Sequence, residues 1–397
     1  MSPPRTVRSI LLEPIDFSLV LGGPLFQLFR RAHLSGPALE LLHRRVLVLS
    51  LLAWLPPAIL SAIEGHLLGP QLSFVHDVES HVRFLVALPI LILAEVVVHR
   101  RLKPLLKGFV ERELVTEAEL PKFYAAIEKA LRARNSKWLE VALMLFAYTG
   151  GQWLWRTRVA VGTHSWYAIS TASGLHLTNA GHYYGLVSIP IFQFIILRWY
   201  LRLAIWYILL WRISRLNLRL VPTHPDRAGG IGFLGSTWQA FGLIGLAQST
   251  LLASLIACRI YYQGQSLMSF KVSIAALAGL FLLAILGPLT MFTPCLFRTK
   301  REGLMEYGAL ATDYVACFDK KWVRRGGKGE GILGSSDIQS LADLGSSYAM
   351  VREMRLVPFG LDDVIPLAGV AVVPVLPLLL TVMPLDEIVA HLLKTVF

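Results

Sequence analysis

Seven stretches of this chain are apolar over about the length that a membrane-spanning helix requires, roughly 20 residues. They cover residues 46–64, 82–98, 138–156, 185–211, 237–262, 270–296 and 364–383. A backbone in hydrocarbon must satisfy its own hydrogen bonds, which helices and closed barrels do, and these runs lack the alternating pattern of barrel strands. The sequence therefore predicts an all-α fold, a polytopic membrane bundle of seven transmembrane helices with additional cytoplasmic amphipathic helices.

The composition favours the same environment. Of the 397 residues, 55% are hydrophobic and only 16% are charged, whereas an average soluble domain has about 25% charged residues. A chain of this composition has more apolar surface than a water-soluble core can bury, so we expect lipid to cover part of it.

The distribution of lysine and arginine predicts an orientation. Thirty of the 38 basic residues lie in residues 1–45, 99–137, 212–236 and 298–363, whereas the alternate loops contain only Arg158. Basic loops stay in the cytoplasm, so we expect a cytoplasmic N-terminus, an outer C-terminus and a bacterial inner membrane. The net charge of +12 is then a topology signal, and binding to nucleic acid is not expected.

These assignments divide the chain into six segments. They are a cytoplasmic or interfacial N-terminal segment 1–45, a first transmembrane hairpin 46–98, a cytoplasmic helical segment 99–137, a four-helix transmembrane region 138–297 with a cytoplasmic turn 212–236, a cytoplasmic helical hairpin 298–363, and a last transmembrane helix with an outer amphipathic tail 364–397. The helices of the predicted hairpin each have an apolar stripe, which must be buried against other cytoplasmic helices, a second subunit or a separate protein. The lipid bilayer, a homo-oligomer and a cytoplasmic protein partner are the predicted partners.

The stretch GIGFLG at residues 230–235 matches the spacing of a dinucleotide-binding loop, but its context excludes that interpretation. Such a loop follows a strand and precedes an acidic residue about 20 positions on, whereas here it joins two apolar helices and no acid occurs from 228 to 301. The turn is either a hinge or packing turn, or an anion-binding mouth. The second hypothesis assigns anion binding to five residues: His224, Asp226, Arg227, Gly229 and Gly230.

Ionisable residues within the apolar segments are costly in lipid and need an explanation. Arg198 and Arg202 are four residues apart and so share one helix face, and Glu95 and Glu140 occur near the cytoplasmic ends of other segments. One hypothesis is that a glutamate pairs with Arg202 and locks the bundle. The other is that Arg198 and Arg202 line a water-filled anion route, with polar walls that include Gln193 and Gln248.

Histidines concentrate on the predicted outer side, near carboxylates. His76, Asp77, His81 and His182 are of the residue types that bind zinc or nickel, although their spacing matches no strong metal motif. Ordinary solvated loop residues, a proton sensor and a divalent metal site all remain open. No other cofactor is predicted.

Three function classes remain. The first is a channel or transporter for anions, with Arg198 and Arg202 in the route. The second is a membrane sensor or scaffold that signals through its cytoplasmic helices, and the third is a membrane-embedded metal-dependent enzyme. No nucleophile with an adjacent base is evident, so the sequence favours a protein that is not an enzyme.

Overall fold

The computed structural model describes residues 17–33, 41–69, 73–155, 157, 165–171, 174–324 and 336–381. Helices account for 81% of the structure, which confirms the predicted all-α class. The α-helices, in chain order, are α1 (Pro24–Arg31), α2 (Leu42–Ile63), α3 (Val78–Val82), α4 (Leu88–Glu111), α5 (Leu120–Arg134), α6 (Lys137–Phe146), α7 (Gln152–Leu154), α8 (Asn179–Tyr183), α9 (Ile189–Ser214), α10 (Thr237–Gln263), α11 (Lys271–Leu286), α12 (Thr293–Phe318), α13 (Ser336–Glu353) and α14 (Leu361–Val372). An antiparallel hairpin pairs β1 (Ala168–Thr171) with β2 (Gly174–Leu177).

Short π-helical or 3₁₀ turns join several of these helices into longer rods. Six of the rods in the described part of the chain are long and apolar enough to cross a membrane, and they fit a multi-pass membrane protein. They are Leu42–Ile63, Val78–Glu111, Asn179–Ser214, Gly232–Gln263, Leu267–Arg324 and Leu361–Thr381.

The predicted count of seven spans is not confirmed, because the segment 138–156 is not among these six. It forms α6, a π-helical turn at Ala147–Gly151 and the short helix α7. Its apolar character is diluted by Glu140, Gln152 and two glycines, and this dilution is the physical reason for the difference.

The same segment nevertheless packs along α9 in the opposite direction. Glu140 contacts Arg198. Eleven residues later the carbonyl of Gly151 accepts a hydrogen bond from Gln193, and the Gln152 side chain donates to the carbonyl of Gly185. Because the partner number falls as the residue number rises, the segment runs antiparallel to α9 over much of its length.

Two predicted boundaries also differ from the structure. The predicted span 82–98 and the predicted cytoplasmic segment 99–137 were divided after residue 98, but α4 continues across that boundary without a break to Glu111. The sixth predicted span continues through α12, so that Leu267–Arg324 is one rod of 58 residues. At about 1.5 Å per residue such a rod extends well beyond the thickness of a bilayer.

The arginine-rich connections come together at one end of the bundle, which we call the basic end. A β-bridge joins Val115 to Leu218, and the N–H of Arg355 donates to the carbonyl of Arg227 at 2.6 Å. The regions 99–137, 212–236 and 298–363 therefore contact one another, in agreement with their common basic charge. Three further parts of the prediction, the first 16 residues, the connection 325–335 and the tail from 382 onward, lie outside the described residues.

Candidate functional site: a buried arginine–glutamate cluster

The charged residues predicted within the apolar helices meet in one cluster. One turn of α9 separates Arg198 from Arg202, so both side chains reach the same side of the helix, where Glu95 of α4 lies. Arg202 Nη2 donates to Glu95 Oε1 at 2.8 Å, and Arg198 Nη1 lies 3.9 Å from the same oxygen. The hypothesis that Glu95 pairs with Arg202 thus agrees with the observed geometry.

Two more helices complete the cluster. Arg198 Nη2 lies 3.2 Å from Glu140 Oε1 of α6, and Arg45 Nη2 of α2 lies 2.7 Å from Glu95 Oε2. All five residues are buried. Removing one partner from a buried ion pair typically costs about 3–5 kcal/mol of stability, so the cluster ties four helices together.

Arg45 belongs to this cluster although the sequence analysis placed it in the N-terminal segment. The adjacent Arg44 is exposed, whereas Arg45 is 2% exposed. The burial of Arg45 could have been predicted from the spacing of residues along α2. Ala53, Pro57 and Ser61 lie on the buried face of this helix, and Arg45 precedes them by multiples of four residues.

Residues 17–33, the cover segment, close the cluster at the basic end. The N–H of Leu25 donates to Glu140 Oε2 at 2.8 Å, and the ring of Phe29 lies 5.5 Å from Arg45 Cζ. The segment is anchored where Ser18 contacts both His99 and Arg134. Glycine is required at its bend, because Gly23 has φ of 87° and a Cβ there would lie 3.1 Å from Glu140.

A small cavity lies at the centre of the cluster. The described residues that border it are Leu25, Phe29, Arg45, Leu49, Leu91, Ile92, Glu95, Ile195, Arg198 and Arg202. The centre of a water molecule has only about 10 Å³ to occupy, which is close to the minimum that one buried water needs. The charged groups therefore surround an enclosed space, and this cavity is too small to serve as an open route.

The other predicted route residues lie apart from this cavity. Gln193 donates to the carbonyl of Gly151 at 3.2 Å, and Gln248 donates to the hydroxyl of Tyr200 at 2.7 Å. Both amides bind neighbouring helices, and neither lines the cavity.

The glycine-rich turn binds an anionic group that the chain itself supplies. The carboxylate of Asp226 accepts from the N–H groups of Ala228, Gly230 and Gly232 at 2.8, 3.1 and 2.8 Å. Burial by itself raises the pKa of Asp226, but these three donors outweigh it, and the pKa lies below its usual value. The backbone donors that were expected to face an external anion thus face Asp226.

The rest of the predicted turn site is held by side chains from the basic end. Arg227 Nη2 lies 3.1 Å from Glu353, and Arg355 donates to the carbonyl of Asp226 at 2.8 Å. His224 lies 2.9 Å from Asp226. His224 also borders an open groove beside Gly229 and Gly230, and Arg112 and Arg219 line the same groove. Anion binding in that groove stays a prediction.

The predicted outer histidines each have a local partner. His81 Nδ1 accepts from Trp54 at 2.8 Å, His76 Nδ1 lies 2.7 Å from the hydroxyl of Ser73, and His182 Nδ1 lies 2.9 Å from the carbonyl of Thr178. His81 therefore joins α3 to α2, whereas His76 and His182 bond groups three and four residues away along the chain.

Asp77 forms a buried network at the end of the bundle opposite the basic end. It caps α3 through the N–H of Ser80 and accepts from Ser80 Oγ at 2.6 Å and Trp166 Nε1 at 2.8 Å. In the part of the chain that the structure describes, no three histidine, cysteine or acidic side chains lie close enough to bind one metal ion. The four predicted ligands are therefore not brought together.

No known protein family, curated protein or solved structure matches this chain.

Proposed function

We propose that this protein is a multi-pass membrane scaffold, of the sensor or scaffold class, that presents a cytoplasmic helical hairpin to a protein partner. The observation that carries the proposal is the surface of the hairpin formed by α12 and α13. It extends from a bundle in which Arg45, Arg198 and Arg202 contact buried glutamates around a space too small for an open route, so the molecule combines a closed membrane part with an accessible cytoplasmic surface.

The hairpin packs mainly on itself. The Tyr314 hydroxyl donates to the carbonyl of Asp337 at 3.0 Å, and Trp322 Nε1 donates to the Asp337 carboxylate at 2.9 Å. Along its length α13 packs chiefly against α12. Two helices bury little apolar area by themselves, and helices in proteins gain most of their stability from tertiary packing.

Large apolar side chains remain in water on both helices. Met305, Leu310 and Val315 of α12 are 58%, 54% and 50% exposed, and Ile338 and Met350 of α13 are each 42% exposed. Large apolar side chains left exposed on two neighbouring helices favour a surface that binds a protein or a membrane. Leu310 and Val315 lie 14 and 19 residues beyond Leu296, where the predicted span ends, which is roughly 21 and 28 Å along a helix and favours a cytoplasmic protein over lipid.

The proposed topology has seven crossings in a bacterial inner membrane, with the basic end in the cytoplasm. The contacts of 138–156 along α9 support a crossing, because the chain leaves the basic end after α5 and reaches the Asp77 network at Trp166. The clustering of arginine-rich connections at one end supports the orientation.

Site-specific photo-crosslinking in intact cells tests the proposal. A photoreactive residue at Leu310 should give one discrete protein adduct, and the same residue at Met268, which is 63% exposed near the opposite end, should not. Leu310→Asp combined with Val315→Asp should prevent the same protein from copurifying, without lowering the thermal midpoint. Adducts only with lipid, only with a second copy, or equally at both positions would refute the partner-binding scaffold.

Anion transport is the second candidate, and one observation favours it. The cluster contains three guanidinium groups and two carboxylates, so it has one positive charge in excess in a region of low dielectric constant. Movement of the cover segment would expose this charge to the cytoplasm. Flux measurements in liposomes separate this candidate from the scaffold.

A further inference from the structure

Counted over the residues that the structure describes, the buried cluster has more positive than negative charge. Arg45, Arg198 and Arg202 face Glu95 and Glu140, and the backbone N–H of Leu25 adds a further positive dipole at Glu140. Among the described residues, Glu95 is the one carboxylate that borders the cavity. An isolated buried charge is so costly that proteins neutralise it or pair it with an ion of opposite charge.

Arg45 also has unused hydrogen-bonding capacity. The residue is 2% exposed, yet its Nε has no hydrogen-bond acceptor within the described part of the chain. Its Nη2 lies 2.7 Å from Glu95 Oε2, but the described residues offer this nitrogen no acceptor in a suitable direction either. Arg45 borders the central cavity. Buried guanidinium donors almost always have an acceptor, so an acceptor at the cavity would satisfy both charge and hydrogen bonding.

We propose that one small monovalent anion, chloride under ordinary salt conditions, binds in this cavity beside Arg45, Arg198 and Arg202. A water molecule would accept a hydrogen bond from Arg45 but would leave the excess charge unpaired. The confined space excludes polyatomic anions such as gluconate, and a chloride ion, which is somewhat larger than a water molecule, would require the lining side chains to move apart slightly. The ion is a structural counter-ion, and this inference is independent of the proposed scaffold function.

The cover segment explains how such an ion would be retained. Leu25 and Phe29 form one side of the cavity, and Phe29 also contacts Arg45. An ion behind these side chains would exchange slowly with the cytoplasm. The protein must therefore be extracted and purified in chloride-free buffer from the start if an empty cavity is to be studied.

The test compares thermal midpoints of the purified full chain in chloride, bromide and gluconate at equal ionic strength. We expect chloride and bromide to raise the midpoint in a saturable manner and gluconate to leave it unchanged. Arg45→Gln should abolish the halide response, whereas Arg44→Gln, which changes the exposed neighbouring arginine, should retain it.

Anomalous scattering from crystals grown in bromide gives a second measurement that needs no variant. A bromide peak in the cavity beside Arg45 Nε would support the proposal even if Arg45→Gln does not fold. Equal midpoints in chloride and gluconate, or a water molecule without an anomalous signal at that position, would overturn it.

Discussion

Arg202 of α9 donates a hydrogen bond to Glu95 of α4 at 2.8 Å, and the two residues are 107 positions apart in the chain. Glu95 also lies 2.7 Å from Arg45 and 3.9 Å from Arg198. One carboxylate therefore neutralises charge from two other helices, and the positions of α2, α4 and α9 depend on it.

Replacement of Glu95 should be among the most destabilising single changes in the chain. Glu95→Gln leaves three buried guanidinium groups with only Glu140, and we expect a loss of about 3–5 kcal/mol in the free energy of unfolding. The control is Glu111→Gln, on an exposed turn at the end of the same helix, which should change stability by less than about 0.5 kcal/mol. Equal effects of the two changes, measured by denaturation in detergent, would show that the cluster does not hold the helices.

Arg198 and Glu140 should be energetically coupled. Glu140→Leu removes a carboxylate that lies 3.2 Å from Arg198, and Arg198→Met removes the opposing charge. Because either single change leaves a buried charge with fewer partners, the double variant should cost less than the sum, with a coupling of roughly 0.5–3 kcal/mol. A double-mutant cycle of unfolding free energies measures this term, and strict additivity would contradict the ion pair.

The turn at Asp226 should make stability depend on acid pH. Its pKa is lower in the folded protein than its usual value, so its contribution is fully present at neutral pH and is lost as the pH falls below about 3.9 toward the folded pKa. Asp226→Asn should therefore lower the thermal midpoint at pH 7, and the difference from the wild type should narrow at pH 3.5. A difference that stays constant or widens would mean that the carboxylate charge does not stabilise the turn.

Glycine at position 229 is required by conformation and space. Gly229 has φ of 66°, and a Cβ there would lie 3.2 Å from Leu220 and from Met354. Gly229→Ala should cost about 1–2 kcal/mol from the left-handed backbone alone. Gly345→Ala is the control, and it should change stability in the opposite direction. Gly345 lies within α13, and no atom from another part of the described chain lies within 4 Å of the position that a Cβ would take. Alanine there should therefore stabilise the helix by roughly 0.5–1 kcal/mol.

Long apolar runs made the helical class predictable, because a segment of that length in lipid has few alternatives to a helix. The clustering of Glu95, Arg198 and Arg202 could also be predicted from the sequence, because a charged group in lipid is costly unless it has a partner of opposite charge. Segment 138–156 was ambiguous because Glu140 and Gln152 reduce its apolar character while its packing surface is set by α9.

Tertiary contacts determine two features that the sequence does not predict, which are the burial of Arg45 and the direction of the N–H groups in the glycine-rich turn. Arg44 and Arg45 are equivalent in composition, but the rotation of α2 exposes one and buries the other. The glycines of 229–232 indicated a set of free N–H donors, yet the conformation of the turn directs them to the Asp226 carboxylate. Neither outcome follows from residue type without the packing of neighbouring helices.

Anion flux in proteoliposomes most directly tests whether the immersed arginines lock the bundle or line a route. The scaffold account predicts that chloride efflux from liposomes containing the purified full chain equals that of protein-free liposomes, and that Arg198→Leu changes nothing. Chloride efflux well above the protein-free rate that is abolished by Arg198→Leu, in a variant whose helical circular dichroism and gel-filtration profile match the wild type, would contradict it.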